Sequence, residues 1–357
     1  MPVLQVILIL ALLIFVHELG HFLAARLQGI YANRFSIGFG PVLWKYQGKQ
    51  TEYALRLLPL GGFVGFPDDD PESTIAKDDP NLLRNRPIMD RAIVIGAGVV
   101  ANLLFAYLVL VAQVGLVGIP SGIQYAPGVL VPQVMRGTPA AAAGLQDGDI
   151  ILNVNQQTLP ASEDATLTLK GMIESAPNLP VGLVVQRGQQ TVPLQVTPEA
   201  DDQGKGRIGV KLTPNGTSIF TRPSNLAQVF DVAAKQFQLI TLRTVEGFVH
   251  LLTNFSQTAQ QVAGPVAIVS EGAKIARADQ TALFSFTALI SINLAILNIL
   301  PLPALDGGQL AFLLWEALLG KPVSGRIQES VMQTGLVLLL GLGVFLIIRD
   351  TANLLPK

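Results

Sequence analysis

Four stretches of the chain stay apolar for long enough to cross a bilayer, which takes about 20 helical residues. They run over Pro2–Ala25, Ala92–Val117, Ala282–Leu302 and Thr334–Ile348. The first is interrupted by a polar cluster near its end, His17-Glu18-Leu19-Gly20-His21. A secretory leader is the other reading of this stretch, but it has no positive start and no charge before Glu18. Between the first two spans, Phe35–Tyr46 and Thr51–Phe66 are rich in β-branched and aromatic residues and in glycine. With a turn at Gln47-Gly48-Lys49-Gln50 they predict one or two β-hairpins. Pro67–Pro87 turns from acidic to basic, holds four prolines, and reads as irregular.

Between the second and third spans lies a module over about Ala126–Pro198. Short apolar runs (Gly128–Val134, Asp149–Val154, Gly182–Gln186, Thr191–Val196) alternate with turn signals, and Asp164–Ser175 is helical. This is an α+β pattern, and about 75 residues suffice for a small fold. Asn225–Phe255 then carries apolar residues at helical spacing, which predicts an amphipathic helix on the membrane surface or against the spans. The expected organisation is an N-terminal membrane part (1–125), the α+β module (126–200), an amphipathic helical linker (201–280) and a C-terminal membrane part (281–357).

Composition agrees with the spans. Of 357 residues 50% are hydrophobic and 14% charged, against about 25% charged in ordinary soluble proteins. A net charge of −1 leaves no basic footprint for nucleic acid. There are no cysteines, which excludes disulfides, thiolate nucleophiles and thiolate-held metals. The three histidines are His17, His21 and His250, so imidazole chemistry rests on them.

His17-Glu18-Leu19-Gly20-His21 fits the pattern H-E-x-x-H. On a helix, residues four apart lie about 40° apart around the axis, so both imidazoles face one way and can share a zinc ion. Glu18 projects beside them, placed to take a proton from water. Ionisable groups inside an apolar helix cost about 2.5–3.5 kcal/mol each even on the lenient insertion scale, and so ask for a reason. Snorkelling at a helix end, or a haem or proton-relay pair, are the other readings, and neither explains Glu18 as well. A zinc site needs a third protein ligand. His250 lies in the amphipathic stretch and reads as an ordinary interfacial residue, so a carboxylate near another span is expected. Asp306 stands out, closing the third span after two helix-breaking prolines and before two glycines; its other reading is a helix N-cap. Following the spans back and forth brings Asp306 to the same side as the histidines.

These residues together resemble the site-2 protease family of intramembrane zinc metalloproteases, of the bacterial regulator-of-sigma-E-protease type. The likeness runs nearly end to end. It rests on His17–Phe22, Gly62-Phe-Val, Gly98-Val-Val-Ala-Asn102, Gly264-Pro-Val-Ala-Ile268, Ser291-Ile-Asn293 and Asn298-Ile-Leu-Pro-Leu-Pro-Ala-Leu-Asp306-Gly-Gly. The resemblance implies an α-helical polytopic membrane protein with about four transmembrane helices, a membrane-associated β-hairpin region that re-enters beside the metal, and an inserted α+β PDZ-like domain. It implies Zn2+ on His17, His21 and Asp306, Glu18 as general base, and Asn298, Asn102, Asn293, Pro301 and Gly62 along the substrate path. The implied substrates are single-span membrane proteins, such as anti-sigma factors already shortened by another protease. Gly137–Asn155 is similar to protease-associated PDZ domains, which implies that a peptide chain end binds there or that bulky substrates are excluded. Some relatives carry two such domains, and this chain has room for one. Relatives often show Gly-Pro where Val99-Val100 stand here. A metal transporter or an inactive PDZ-bearing membrane scaffold are the rival functions.

Sidedness follows from the basic residues. Arg26, Arg34, Arg84, Arg86 and Arg91 flank the first loop, and Lys321 and Arg326 lie between the last two spans. The positive-inside rule puts these in the cytoplasm. Both chain ends and the PDZ-like module are then expected outside a bacterial inner membrane, with the metal site toward the cytoplasm.

Overall fold

In the computed structural model, residues 1–70, 73–255 and 262–354 are described. Among the described residues, four helices are long and apolar enough to span a membrane. The first, α1 (Pro2–Leu27), has 26 residues, about 39 Å at 1.5 Å per residue against a hydrocarbon core of about 30 Å. The others are α2 (Ile88–Leu116), α7 (Ala282–Ile299) and α9 (Gly325–Leu354). Between them come two amphipathic helices, α5 (Leu226–Thr253) and α6 (Pro265–Ala278), and α8 (Asp306–Leu319), which starts just after α7 ends. Large apolar side chains of α9 such as Leu338 and Phe345 are exposed, as suits a lipid-facing helix.

α2 is the central post, packed against both α1 and α7. Val94, Asn102, Ala106 and Leu110 of α2 are all buried. Polar side chains pin α7 to it: Ser285 Oγ donates to Gln113 Oε1 at 2.9 Å, and Ser291 Oγ donates to the Asn102 carbonyl at 2.8 Å. Such bonds between membrane helices are each worth about 0.6 kcal/mol on average.

The first loop forms two long bent strands, β1 (Arg34–Gln47) and β2 (Glu52–Gly65). Arg34–Ile37 pairs twice: in parallel with Glu52–Leu55, and in the opposite sense with Gly62–Gly65, where Ile37 meets Gly62 and Arg34 meets Gly65. Gln47 meets Glu52 across the turn. The sequence pattern predicts the two strands, but not this double use of β1. Folding β2 back over β1 carries Gly62–Gly65 to the edge of the sheet and against α1.

Gly118–Arg222 is a separate compact unit, and the rest of the chain forms the other. Its strands are β3 (Ile119–Val134), β4 (Ile150–Val154), β5 (Gln157–Thr158), β6 (Val181–Arg187), β7 (Gln190–Val196), β8 (Glu199–Ala200), β9 (Gly206–Arg207) and β10 (Val210–Thr221). The main sheet has the order β10-β3-β4-β6-β7, with β5 on β4. Two helices accompany it, α3 (Pro139–Ala142) and α4 (Ala165–Glu174). Ala165, Leu169 and Ile173, four apart on α4, meet Val129, Val131, Ile151 and Val185 of the sheet in one buried core. Inside the unit, Arg187 forks onto buried Asp149 at 2.8 and 2.7 Å.

This unit is wider than the module read from the sequence, because β10 pairs along the whole of β3. Residues 201–280, expected as a helical linker, hold that strand as well as the whole of α5 and α6. Pro214 and Asn215-Gly216 inside β10 read locally as a turn, and the register shifts between Pro214 and Gly216 accommodate them.

Candidate metal centre

His17 and His21 lie one turn apart on α1, and Asp306 is the first residue of α8. His17 Nε2 is 3.2 Å from Asp306 Oδ2, His21 Nε2 is 3.3 Å from the same oxygen, and the two nitrogens are 3.2 Å apart. Two residues adjacent by helical periodicity thus meet a third almost three hundred positions away. Asp306 Oδ2 is buried with no hydrogen-bond partner. The residues fit zinc. A tetrahedral ion with bonds of about 2.0–2.2 Å has ligand atoms about 3.3 Å apart, which is the size of this triangle. A fourth position on such an ion would remain for water or substrate.

The surroundings explain the convergence. His21 Nδ1 lies 2.8 Å from the Val94 carbonyl, which accepts its proton and leaves Nε2 bare for a metal. Gly98 lets the imidazoles lie directly on α2: a Cβ there would stand 2.4 Å from His21 Nε2 and 2.7 Å from His17 Cε1. Asp306 is delivered by a tight connection in which Ala304 takes a left-handed conformation, φ 68°, at a cost of about 1–2 kcal/mol for a non-glycine residue. Gly307 packs on the Leu300 and Ile299 carbonyls, 2.1 and 2.4 Å from where a Cβ would be, so only glycine fits. At the far end of α8, Glu316 receives a two-pronged bond from Arg91 of α2, at 3.0 and 2.6 Å. This pair ties the far end of the helix that carries Asp306 to the post.

A cavity of about 1480 Å³ opens onto the centre. Glu18 lines it beside the histidines, as does Val64 of β2. Gly62 lies directly over Glu18, its Cβ position 2.8 Å from Glu18 Cγ. Asn298 also lines the cavity. Asn102 reaches it through its amide, 3.3 Å from His17 Nδ1, with no exposed surface. Asn293 is half-buried on α7 and Pro301 is exposed in the α7–α8 connection; neither is among the residues lining the cavity. His250 sits near the end of α5, bonded to Asn254. The Val94 carbonyl and the Arg91–Glu316 pair leave no trace in the sequence, since backbone groups have no residue signature and long-range ion pairs no spacing. Gly98 stands inside a quoted motif, but its contact with the histidines is not readable from it.

The triad, with a carboxylate beside it at the mouth of a cavity, has the donor set that a metal-dependent hydrolase centre uses. The profile of peptidase family M50 matches residues 5–342. The chain belongs to this family, the site-2 protease family of membrane zinc metalloproteases. A Nostoc sp. protein bearing a zinc-metalloprotease name is 59% identical over 356 residues, covering 99% of this chain and 97% of the relative. The chloroplastic membrane metalloprotease ARASP of Arabidopsis thaliana is 46% identical, covering 99% and 79%. Metalloprotease MmpA of Caulobacter vibrioides is 30% identical, covering 96% and 93%. Among solved structures, the PDZ domain of an SdrC-like protein from Listeria monocytogenes is 24% identical over 24% of this chain and 86% of that one, with a TM-score of 0.21. The chain is therefore a zinc metalloprotease of the membrane.

Proposed function

We propose that His17, His21 and Asp306 hold the zinc and that Glu18 is the general base in cleaving peptide bonds within or beside membrane-spanning segments. The observation that supports this most is the buried triangle of His17 Nε2, His21 Nε2 and Asp306 Oδ2, with edges of 3.2, 3.2 and 3.3 Å. When bound, zinc polarises the scissile carbonyl and lowers the pKa of its water toward about 7. Glu18 accepts the proton of the attacking water and passes it to the leaving amine. Asn298, on the cavity wall, donates to the substrate backbone or the developing oxyanion.

A membrane helix hides its carbonyls in its own hydrogen bonds, so the substrate must unwind, and its freed amides need partners. Among the described residues, Gly62–Gly65 pairs with β1 on one side only. Its other edge accepts the unwound substrate as an added strand, next to Glu18. The substrates are single-span membrane proteins, with anti-sigma factors already shortened by a first protease as the leading class. The unit Gly118–Arg222 is PDZ-like, and takes a peptide chain end or turns away bulky substrates. The enzyme sits in a bacterial inner membrane with the metal centre toward the cytoplasm and this unit outside.

Glu18→Gln tests the assignment. The amide cannot act as a base, so purified protein keeps its zinc and ceases to cleave a single-span model peptide. Surviving cleavage refutes the mechanism, and loss of zinc makes Glu18 a ligand instead.

A further inference from the structure

We infer that Asn102 is the residue that fixes His17 in the orientation and tautomer that zinc requires. This rests on His17 being a zinc ligand. Asn102 is an amide in an otherwise apolar stretch of α2, wholly buried, and a polar group at that depth is costly unless paired. Its amide nitrogen lies 3.3 Å from His17 Nδ1, while its Oδ1 is buried with no hydrogen-bond partner. The two ends of an amide are nearly the same size, so turning it by half a revolution changes no packing.

Only one of the two orientations is compatible with a metal. A neutral imidazole that ligates through Nε2 carries its proton on Nδ1 and needs an acceptor there. With the amide turned, Asn102 Oδ1 is that acceptor. In the opposite arrangement the amide donates to Nδ1, the proton moves to Nε2, and the N–H occupies the place of the metal beside Asp306 Oδ2. His21 shows the same design, with its Nδ1 on the Val94 carbonyl at 2.8 Å. Both imidazoles are thus oriented from α2. Ser291 Oγ, bonded to the Asn102 carbonyl at 2.8 Å, holds that stretch of α2 against α7. An amide does this work without the charge that a carboxylate would bring to membrane depth.

The test is zinc affinity of the purified full-length chain, measured by competition with a chelator, together with the visible spectrum of the cobalt-substituted protein. Asn102→Leu keeps volume and removes the acceptor; Asn102→Ala removes it without risk of overpacking; Asn102→Asp keeps an acceptor whichever way it turns. The two acceptor-free variants lose roughly 10- to 100-fold in zinc affinity, the usual cost of removing such a partner, and their cobalt spectra shift. Asn102→Asp stays near wild type in both. A merely structural role would move helix content and leave Asn102→Asp no better than Asn102→Leu. Wild-type affinity in Asn102→Ala or Asn102→Leu, or equal loss in Asn102→Asp, overturns the inference. His17→Ala separates the two levels: if it keeps zinc at wild-type affinity, the ligand assignment itself has failed, whereas if it loses zinc while Asn102→Leu does not, the role of Asn102 has failed alone.

Discussion

Gly98 gives the sharpest structural prediction. In Gly98→Ala the new methyl carbon falls 2.4 Å from His21 Nε2 and 2.7 Å from both His17 Cε1 and His21 Cε1. Relaxed non-bonded contacts lie near 3.5–4.0 Å, so the imidazoles must retreat by about 1 Å, several times the ±0.2 Å or so that a metal site tolerates. Without metal the two side chains can swing aside at little cost. With metal they cannot, so the strain falls on the zinc-bound state. Overpacking of this kind costs about 1–3 kcal/mol, or about 5- to 140-fold in zinc affinity at 1.4 kcal/mol per tenfold. Chelator competition on purified protein reads the loss, and far-ultraviolet circular dichroism confirms that the helices remain. Gly96→Ala is the control: nothing lies within 4 Å of its Cβ position, and alanine favours a helix by up to about 1 kcal/mol, so it binds zinc as wild type does. If Gly98→Ala also binds zinc with wild-type affinity, the close packing of the centre on α2 is wrong.

Two further predictions concern other parts of the chain. Burial pushes the Asp149 carboxyl up, but the hydrogen bonds from Arg187 and from the Gln146 N–H outweigh it and hold it below its usual value. Its contribution to the stability of the Gly118–Arg222 unit is therefore complete above the unfolded value of about 3.9 and is lost as pH falls through the lower folded value; hydrogen exchange of that unit in the full chain should show this acid sensitivity, and Asp149→Asn should remove it and open the unit already at neutral pH. For orientation, the absence of native cysteine allows single-cysteine labelling: an impermeant thiol reagent labels Ser162→Cys in intact cells and Ser73→Cys only after lysis, while the reverse pattern inverts the topology.

The parts of the centre that were legible in the sequence are those fixed by local periodicity. His17 and His21 share a face because they are four apart on a helix, and that spacing is visible in the string. Asp306 was legible because prolines and glycines around a carboxylate are expensive at membrane depth and mark a broken helix there. β4, β6, β7 and α4 were likewise readable, since each buries one face against a single core. β10 was not, because Pro214 and Asn215-Gly216 outvote the alternation locally and only pairing with β3 reveals the strand. The same holds for the return of Gly62–Gly65 onto β1. Its partner choice depends on the three-dimensional path of the loop, not on composition. The support shell of the centre was the least visible: the carbonyl at Val94 belongs to the backbone, which every sequence has.

The central claim is that Asp306 completes the zinc site begun by the two histidines, and Asp306→Asn tests it most directly. The substitution keeps the shape of the side chain and removes the charge from the oxygen that faces both Nε2 atoms. Elemental analysis of the purified variant should find zinc lost after dialysis against a chelator concentration that leaves wild type with one ion per chain, and cleavage of a single-span peptide should be lost with it. One zinc per chain retained under those conditions, with cleavage intact, would contradict the account and send the third ligand elsewhere.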